Sequence, residues 1–294
     1  MSLGLMQSIM DGLLLGGVYA CVAVGLSLSY GVMRIFNWAN GELLMTAMYI
    51  AIFMIKGLEI DPYLTILVTV PVMFIFGFLL CKGPFNMLFA REAGNREPLS
   101  ILMFTAGIAY IIKNTVAFLF TTNSQAANTD YMLQSWKLGK LIIGKPKAFA
   151  FLAALAGVLL LQIILNNTDL GLSLRCTTQD REAAQLMGMD IKNLYCLALG
   201  IGFACVGVAG TMLSPMYAVD PSTGGNYSLK CLVIVVLGGK GSIPGALLGG
   251  LIVGLVESIF TYSFSGLYGQ SAVFAIFILV LMFKPNGILS KDRG

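Results

Sequence analysis

Histidine is absent from this chain of 294 residues, and two further absences limit what it can do chemically. Without histidine there is neither an HExxH zinc site nor imidazole-based general acid–base chemistry. The sequence also has no Gly-x-Ser-x-Gly nucleophile elbow and no pair of aspartates inside an apolar run. We therefore do not expect this chain to be an enzyme.

A phosphate-binding loop is missing as well. The glycine-rich residues 238–242 resemble one superficially, but no glycine stands six positions before Lys240. Gly241 also follows the lysine, where a Walker motif needs Ser or Thr. If ATP drives the function of this protein, another subunit must hydrolyse it.

Charge is scarce: charged residues make up 11% of the chain and hydrophobic residues 57%, with a mean hydropathy of +0.86. A soluble domain averages about 25% charged residues. The composition therefore predicts a polytopic membrane protein. No basic region precedes the first apolar run, residues 9–30, so we expect it to be retained as a span. The basic residues are scattered over short loops, which argues against nucleic-acid binding.

The six cysteines stand singly and without CxxC spacing, which is typical of small buried hydrophobic residues. The apolar runs predict an all-α fold with eight or nine transmembrane segments in a single domain, 1–294. The predicted segments are 8–31, 38–55, 63–81, 99–121, 148–166, 193–218, 228–238 (short), 243–263 and 268–284.

The distribution of basic residues places 83–98, 167–192 and the C-terminal tail in the cytoplasm. The loop 121–147 then falls on the opposite face, although its four lysines conflict with a strict positive-inside count.

Two stretches, 26–41 and 232–245, look like interrupted helices, each leading into an apolar run. Such breaks in corresponding halves indicate an inverted repeat beside a translocation pathway, and the alternative is a pair of ordinary loops. Glu42 could instead simply satisfy the dipole of a helical first turn. The candidate pathway residues are Asn37, Asn40, Gly41, Glu42, Gly238, Gly239, Gly241 and Ser242.

The pairs Gly245/Gly249 and Gly250/Gly254 have the Gly-x-x-x-Gly spacing of a close helix contact. They could pack within one subunit or against a second subunit, and Gly12, Gly16 and Gly17 have a similar role in the first span. Glu257 is expected to pair with a neighbouring helix, and Lys113 to extend toward the membrane surface.

A polar island at 171–192 contains six charged residues between two long apolar runs. Thr178 is predicted to cap a short helix over 178–188, with Asp180 and Glu182 in its first turn. The pairs Ala183/Met187 and Ala184/Gly188 would then form one small apolar face. Such a helix is shaped to dock into the groove of another protein.

These motifs resemble one family in collinear order: residues 11–31, 37–42, 175–188, 236–246 and 283–289 are similar to the first permease subunit of branched-chain amino-acid ABC importers. The island resembles the cytoplasmic EAA loop of ABC-importer permeases. The resemblance implies that fold, a coupling loop at about 167–192 and a place in the bacterial cytoplasmic membrane. It assigns ATPase contact to Arg175, Asp180, Arg181, Glu182, Ala183, Ala184, Met187 and Gly188.

The resemblance further implies four kinds of partner: a homologous second permease or a second copy, two cytoplasmic ABC ATPases, an extracytoplasmic amino-acid-binding protein, and the bilayer. ATP and Mg would be held by the ATPases, and this chain would bind no cofactor. Asn40 and Trp38 depart from the family, which usually has His and Phe there.

Two alternatives remain open for the function. The same architecture could import urea, short amides or another amino acid. An ion-coupled secondary transporter is the alternative of another class, but it would have no use for a docking helix and would normally carry intramembrane acids.

Overall fold

The computed structural model describes residues 3–91, 98–120, 122–127, 134–138, 141–264, 266–284 and 287–289. Within them the chain forms helices and one β-hairpin. The helices are α1 Leu3–Met33, α2 Asn40–Leu58, α3 Ile66–Leu80, α4 Asn86–Arg91, α5 Pro98–Phe120, α6 Lys145–Asn167, α7 Asp169–Gln179, α8 Arg181–Leu186, α9 Ile191–Leu213, α10 Thr223–Gly238, α11 Ile243–Ser263 and α12 Gly266–Phe283. A π-helical turn, Cys81–Phe85, joins α3 to α4, and the hairpin strands are β1 Ser135–Leu138 and β2 Leu141–Gly144.

The predicted membrane segments are confirmed as helices. Seven helical stretches of the described chain are long and apolar enough to cross a membrane. The shorter apolar helices α10 and α12 supply the remaining two. The largest differences lie at three helix ends: α1 begins at Leu3 rather than 8, α10 begins at Thr223 rather than 228, and α9 ends at Leu213 rather than 218.

Helices α1, α9 and α11 form the centre of the molecule, and glycines let α1 and α11 approach closely. A Cβ atom on Gly12 would lie 2.9 Å from the Gly254 carbonyl oxygen, and one on Gly250 would lie 2.5 Å from the Ala20 Cα. The Gly-x-x-x-Gly pairs thus pack within one subunit, as the first of the two interpretations proposed. Gly17 differs, since it faces the Phe151 ring of α6.

Large apolar side chains cover the outer surfaces of α3, α5 and α6, where Leu67, Phe118 and Leu160 are exposed. A lipid-facing surface has this composition, because hydrocarbon offers no partner for polar groups. The six cysteines are free, and all but the half-buried Cys176 are buried, as the sequence predicted.

The two ends of α1 lie beside different loops. Near its start, Asp11 forms an ion pair with Lys147 at 2.8 Å, and Gln7 donates a hydrogen bond to the Ile142 carbonyl of β2. At its other end, Gly31 lies against Gly241 close to the polar island. The predicted placement of 121–147 opposite 167–192 is therefore confirmed.

The hairpin corrects the all-α prediction in one detail. Its strands pair antiparallel, with Ser135 opposite Gly144 and Leu138 opposite Leu141. Each strand is only four residues long, too short for hydropathy alternation to distinguish it from a loop.

Candidate coupling surface and translocation pathway

The polar island folds into two helices, α7 and α8, that meet at Asp180. The Asp180 backbone is extended, with φ −144° and ψ 110°, and its carboxylate accepts hydrogen bonds from the backbone N–H groups of Glu182 and Ala183. The predicted cap, Thr178, is wrong: it lies inside α7 and donates its hydroxyl to the Leu174 carbonyl at 2.8 Å. A carboxylate is the stronger acceptor, whereas threonine can bond the preceding turn within a helix.

The two residue pairs predicted to share a docking face do not share one. Ala184 is 3% exposed and packs inward, whereas Ala183, Met187 and Gly188 are exposed. Leu186 and Met187 protrude furthest, with 89% and 80% of their surface exposed. A helix of six residues has too little periodicity to reveal from sequence which side packs. The outward apolar surface of α8 therefore consists of Ala183, Leu186 and Met187.

Helix α8 is attached to α7 and α9 by contacts along its length. The Arg181 guanidinium lies 5.7 Å from the centre of the Tyr195 ring on α9, at cation–π distance. Gly188, at φ +82°, ends the helix in a conformation that favours glycine. Asp190 then caps α9 by accepting from the backbone N–H groups of Lys192 and Asn193. One short turn thus connects α8 directly to the most buried span.

A cavity of about 460 Å³ lies between the end of α1, the α7–α8 junction and α9. Arg34, Gln179, Asp180, Arg181 and Glu182 contribute its polar lining. Arg175 instead lines a smaller cavity on the other side of α7, next to Thr178 and Gly241. The structure therefore brings the predicted coupling residues to one end of the molecule.

The first helix break, between α1 and α2, is held by hydrogen bonds to α5 and α10. Ser228 of α10 accepts a hydrogen bond from the Gly41 backbone N–H at 3.1 Å and donates one to the Trp38 carbonyl at 3.0 Å. Thr105 of α5 accepts from the Trp38 N–H, and the Asn37 side chain accepts from the Ala39 N–H. A side chain on Gly41 would overlap the α10 backbone, so this contact requires glycine.

Glu42 lies in the first turn of α2 and is 6% exposed. Among the described residues, its Oε2 atom and the Asn40 Nδ2 atom have no hydrogen-bond partner. The positive charge of Lys113, which is half-buried on α5, acts on this carboxylate. Its position at the helix start agrees with the dipole interpretation, and a role in the pathway stays a prediction.

The second break, between α10 and α11, has different surroundings. Gly239 and Gly241 adopt φ +105° and +79°, and Ser242 caps α11 by accepting from the Gly245 N–H at 3.2 Å. The backbones of Gly238 and Gly245 touch, leaving no room for side chains. This break is a packed corner beside Gly31, and whether it borders the pathway also stays a prediction.

Lys230 is the polar residue that the sequence interpretation missed. Its Nζ atom lies 2.6 Å from Glu257 Oε1 on α11 and 3.2 Å from the Tyr19 hydroxyl on α1. The rings of Tyr19 and Tyr227 lie 5.0 and 5.6 Å from the same ammonium. The expected pairing of Glu257 with a neighbouring helix is therefore confirmed. The available signal was a single charge inside the apolar segment 228–238.

The accessible side of α10 changes character along its length. Ser222, Gly225 and Asn226 are exposed near its start, and Leu232 and Val236 are half-buried further on. These two residues and Lys240 border a cavity of about 350 Å³ that reaches Arg34 and Phe36. The exposed side of α10 is therefore polar near its start and apolar further along the helix.

Nine apolar helices and a two-helix polar loop at one end define a multi-pass membrane permease. Residues 8–283 match the family described as branched-chain amino acid transport system / permease component, and the chain belongs to that family. It is accordingly a transport subunit of the inner membrane.

Two curated relatives extend this match to nearly the whole chain. The permease BraD of the high-affinity branched-chain amino acid transport system of Pseudomonas aeruginosa is 29% identical, covering 98% of this chain and 96% of the relative. The corresponding permease LivH of Escherichia coli K12 gives the same identity and coverage. Among solved structures, PsaBC from Streptococcus pneumoniae in complex with a Fab has a TM-score of 0.52 at 12% identity. That match covers 96% of this chain and 92% of the other, and it shows a shared fold.

Proposed function

We propose that this chain is the permease subunit of an ABC importer that moves leucine, isoleucine or valine inward by alternating access. The family match and the names of the relatives support this substrate class. The observation that carries the coupling role is the outward surface of α8, Ala183, Leu186 and Met187. Exposed apolar side chains surrounded by charged residues, outside the bilayer, mark a site for a protein partner.

The partners in this proposal are two cytoplasmic ATPases that hold ATP and Mg, a second homologous permease or a second copy, and an extracytoplasmic amino-acid-binding protein. The chain itself forms a single transmembrane domain, 1–294, with its coupling loop at about 167–192. It contributes no cofactor site.

The route of coupling follows from the way α8 is attached to α7 and α9. Its start is fixed by the Asp180 cap, its inner side by Ala184, and its end by the turn into α9. An ATPase that grips the outward surface would therefore displace α9, which packs against α1, α2 and α3. Movement at the loop is thus transmitted to helices that line the interior.

The observed contacts give less support to an ion-coupled carrier. Helix α8, with its exposed apolar surface, would have no purpose in a carrier that works alone. If the importer carries no leucine in the transport assay below, urea or a short amide becomes the candidate substrate.

The test reconstitutes the chain with its partners in proteoliposomes and measures leucine uptake and ATP hydrolysis. We expect Ala183→Arg and Met187→Glu to reduce uptake at least about tenfold, or ~1.4 kcal/mol of lost interaction, because each places an unpaired charge in the apolar contact. Ala183→Ser and Met187→Leu are the matched controls and should retain uptake. Ala184→Arg is a poor test, since burying its charge would disrupt the loop itself.

Uptake at the wild-type rate in both charged variants would remove the coupling role. The purified chain alone should hydrolyse no ATP, and hydrolysis should begin when the ATPases are added. Turnover by the isolated chain would contradict the proposal.

A further inference from the structure

An ion pair lies deep within the apolar helices. Lys230 stands near the middle of α10, and Glu257 lies about 21 Å along α11 at the usual rise per residue. The ammonium also contacts the Tyr19 hydroxyl and the faces of Tyr19 and Tyr227. Charged groups at this depth are costly and usually mark a substrate or ion pathway.

The pair leaves hydrogen-bonding capacity unused on Glu257. A lysine ammonium has three N–H donors. In the structure, Lys230 donates hydrogen bonds to Glu257 Oε1 and to the Tyr19 hydroxyl. The second carboxylate oxygen, Glu257 Oε2, is buried without a hydrogen-bond partner among the described residues. A pair with a purely structural role would gain from satisfying that oxygen. Because Oε2 is buried, a further cationic donor could contact it only after the side chains around it move apart.

The pair is also partly exposed at the surface of the helix bundle. The side chains of Lys230 and Glu257 are 13% and 23% exposed. Asn226 and Ser222 precede Lys230 by four and eight residues, so the three share one side of α10. Asn226 and Ser222 are exposed. This polar track leads from the α9–α10 loop to the ion pair.

We propose that Lys230 and Glu257 bind the charged groups of the transported amino acid as it passes through the permease. The Lys230 ammonium holds the α-carboxylate, and the Glu257 carboxylate holds the α-ammonium through Oε2. The rings of Tyr19 and Tyr227 lie beside the same ammonium. A zwitterion matches a pair of opposite charges, whereas a neutral amide needs neither.

This inference rests on the proposed function, and its test uses the complete importer in proteoliposomes with leucine as the probe. The double variant Lys230→Met/Glu257→Gln removes both charges without leaving one unpaired. The matched control is Asp11→Asn/Lys147→Met, which neutralises the ion pair near the start of α1. Leucine uptake and ATP hydrolysis stimulated by the loaded binding protein are measured on the same vesicles.

We expect the double variant to lose at least tenfold in leucine carried per ATP hydrolysed, with ATP hydrolysis within about twofold of wild type. The control pair should keep both rates. If the double variant does not assemble, Glu257→Gln alone gives the same readout, because glutamine keeps the volume and can still accept from Lys230.

Unchanged leucine carried per ATP would overturn the site, and so would a parallel fall of uptake and hydrolysis, which indicates a structural pair. A wild-type importer that carries no leucine at all would instead overturn the proposed function, so the two failures are distinguishable.

Discussion

The Asp180 carboxylate lies 2.9 Å from the backbone nitrogen of Glu182 and accepts its hydrogen bond. With the second bond from Ala183, this one carboxylate separates α7 from α8 and sets where the coupling helix begins. The angle at which Leu186 and Met187 leave the protein surface therefore depends on Asp180.

Replacing Asp180 by alanine should cost about 1 kcal/mol locally, the usual value of an N-cap. We expect leucine uptake to fall severalfold in the complete importer, because α8 would fray where the ATPase holds it. Asp180→Asn keeps a capping oxygen and should remain close to wild type. Thr178→Val is the matched control, since that hydroxyl bonds within α7. A larger loss in Thr178→Val than in Asp180→Ala would contradict this assignment.

Hydropathy predicted the nine apolar helices because a membrane span requires a long run of apolar residues. Such a run consists of consecutive residues, so it can be recognised without knowing how the helices pack. The cap at Asp180 was harder to predict from the sequence, because Thr178 and Asp180 are both good N-cap residues. Only the end of α7 decides between them, and that end depends on packing.

Two other features could not be read from the sequence for related reasons. The inward side of Ala184 depends on where α8 rests against α9. The partners of Lys230 are 27 and 211 residues away along the chain, so only the packing of α1, α10 and α11 brings them together.

The contact between α1 and α11 gives a prediction about stability. In Gly250→Val, the new Cβ would lie 2.5 Å from the Ala20 backbone, which cannot move aside cheaply. We expect a loss of about 1–3 kcal/mol or more, as in other overpacked cores. Gly107→Ala in α5 meets nothing within 4 Å and should be neutral or stabilising by about 0.5–1 kcal/mol. Thermal unfolding in detergent compares the two, and equal melting temperatures would argue against this helix contact.

The loop before α10 predicts a dependence on pH. Asp220 accepts hydrogen bonds from the hydroxyl and backbone N–H of Ser222 and from the Thr223 N–H, while the Thr223 hydroxyl accepts from the Asp220 N–H. The bonds from Ser222 contribute most to lowering the pKa of this carboxyl below its usual value. Because the folded-state pKa is depressed, the stabilisation is complete above the ordinary carboxyl pKa of about 3.9. It is then lost as the pH falls through the lowered value.

Asp220→Asn should therefore be less stable than wild type at pH 7 and approach it as the pH falls below about 4. Melting temperatures of both proteins measured from pH 7 to pH 3 provide the check. A difference that stays constant over this range would show that the charge of Asp220 does not contribute.

The exposed side of α10 should be in contact with water, and single cysteines can test this. With the six native cysteines replaced, we expect a charged, water-soluble thiol reagent to label Asn226→Cys rapidly. Phe118→Cys on α5 is the matched control, because Phe118 is 89% exposed on a helix long and apolar enough to cross the membrane. A thiol in lipid does not ionise, so it should stay unlabelled.

Cysteines at Asn40 and Ala246 add information about movement, because both positions are buried in this structure. They should become reactive only if trapping ATP on the ATPases rearranges the helices around the first break and α11. Equal labelling of Asn226→Cys and Phe118→Cys would mean that α10 faces the same environment as α5. The polar track to Lys230 would then be covered by lipid or by a second subunit, and the substrate would have to cross the membrane along another surface of the permease.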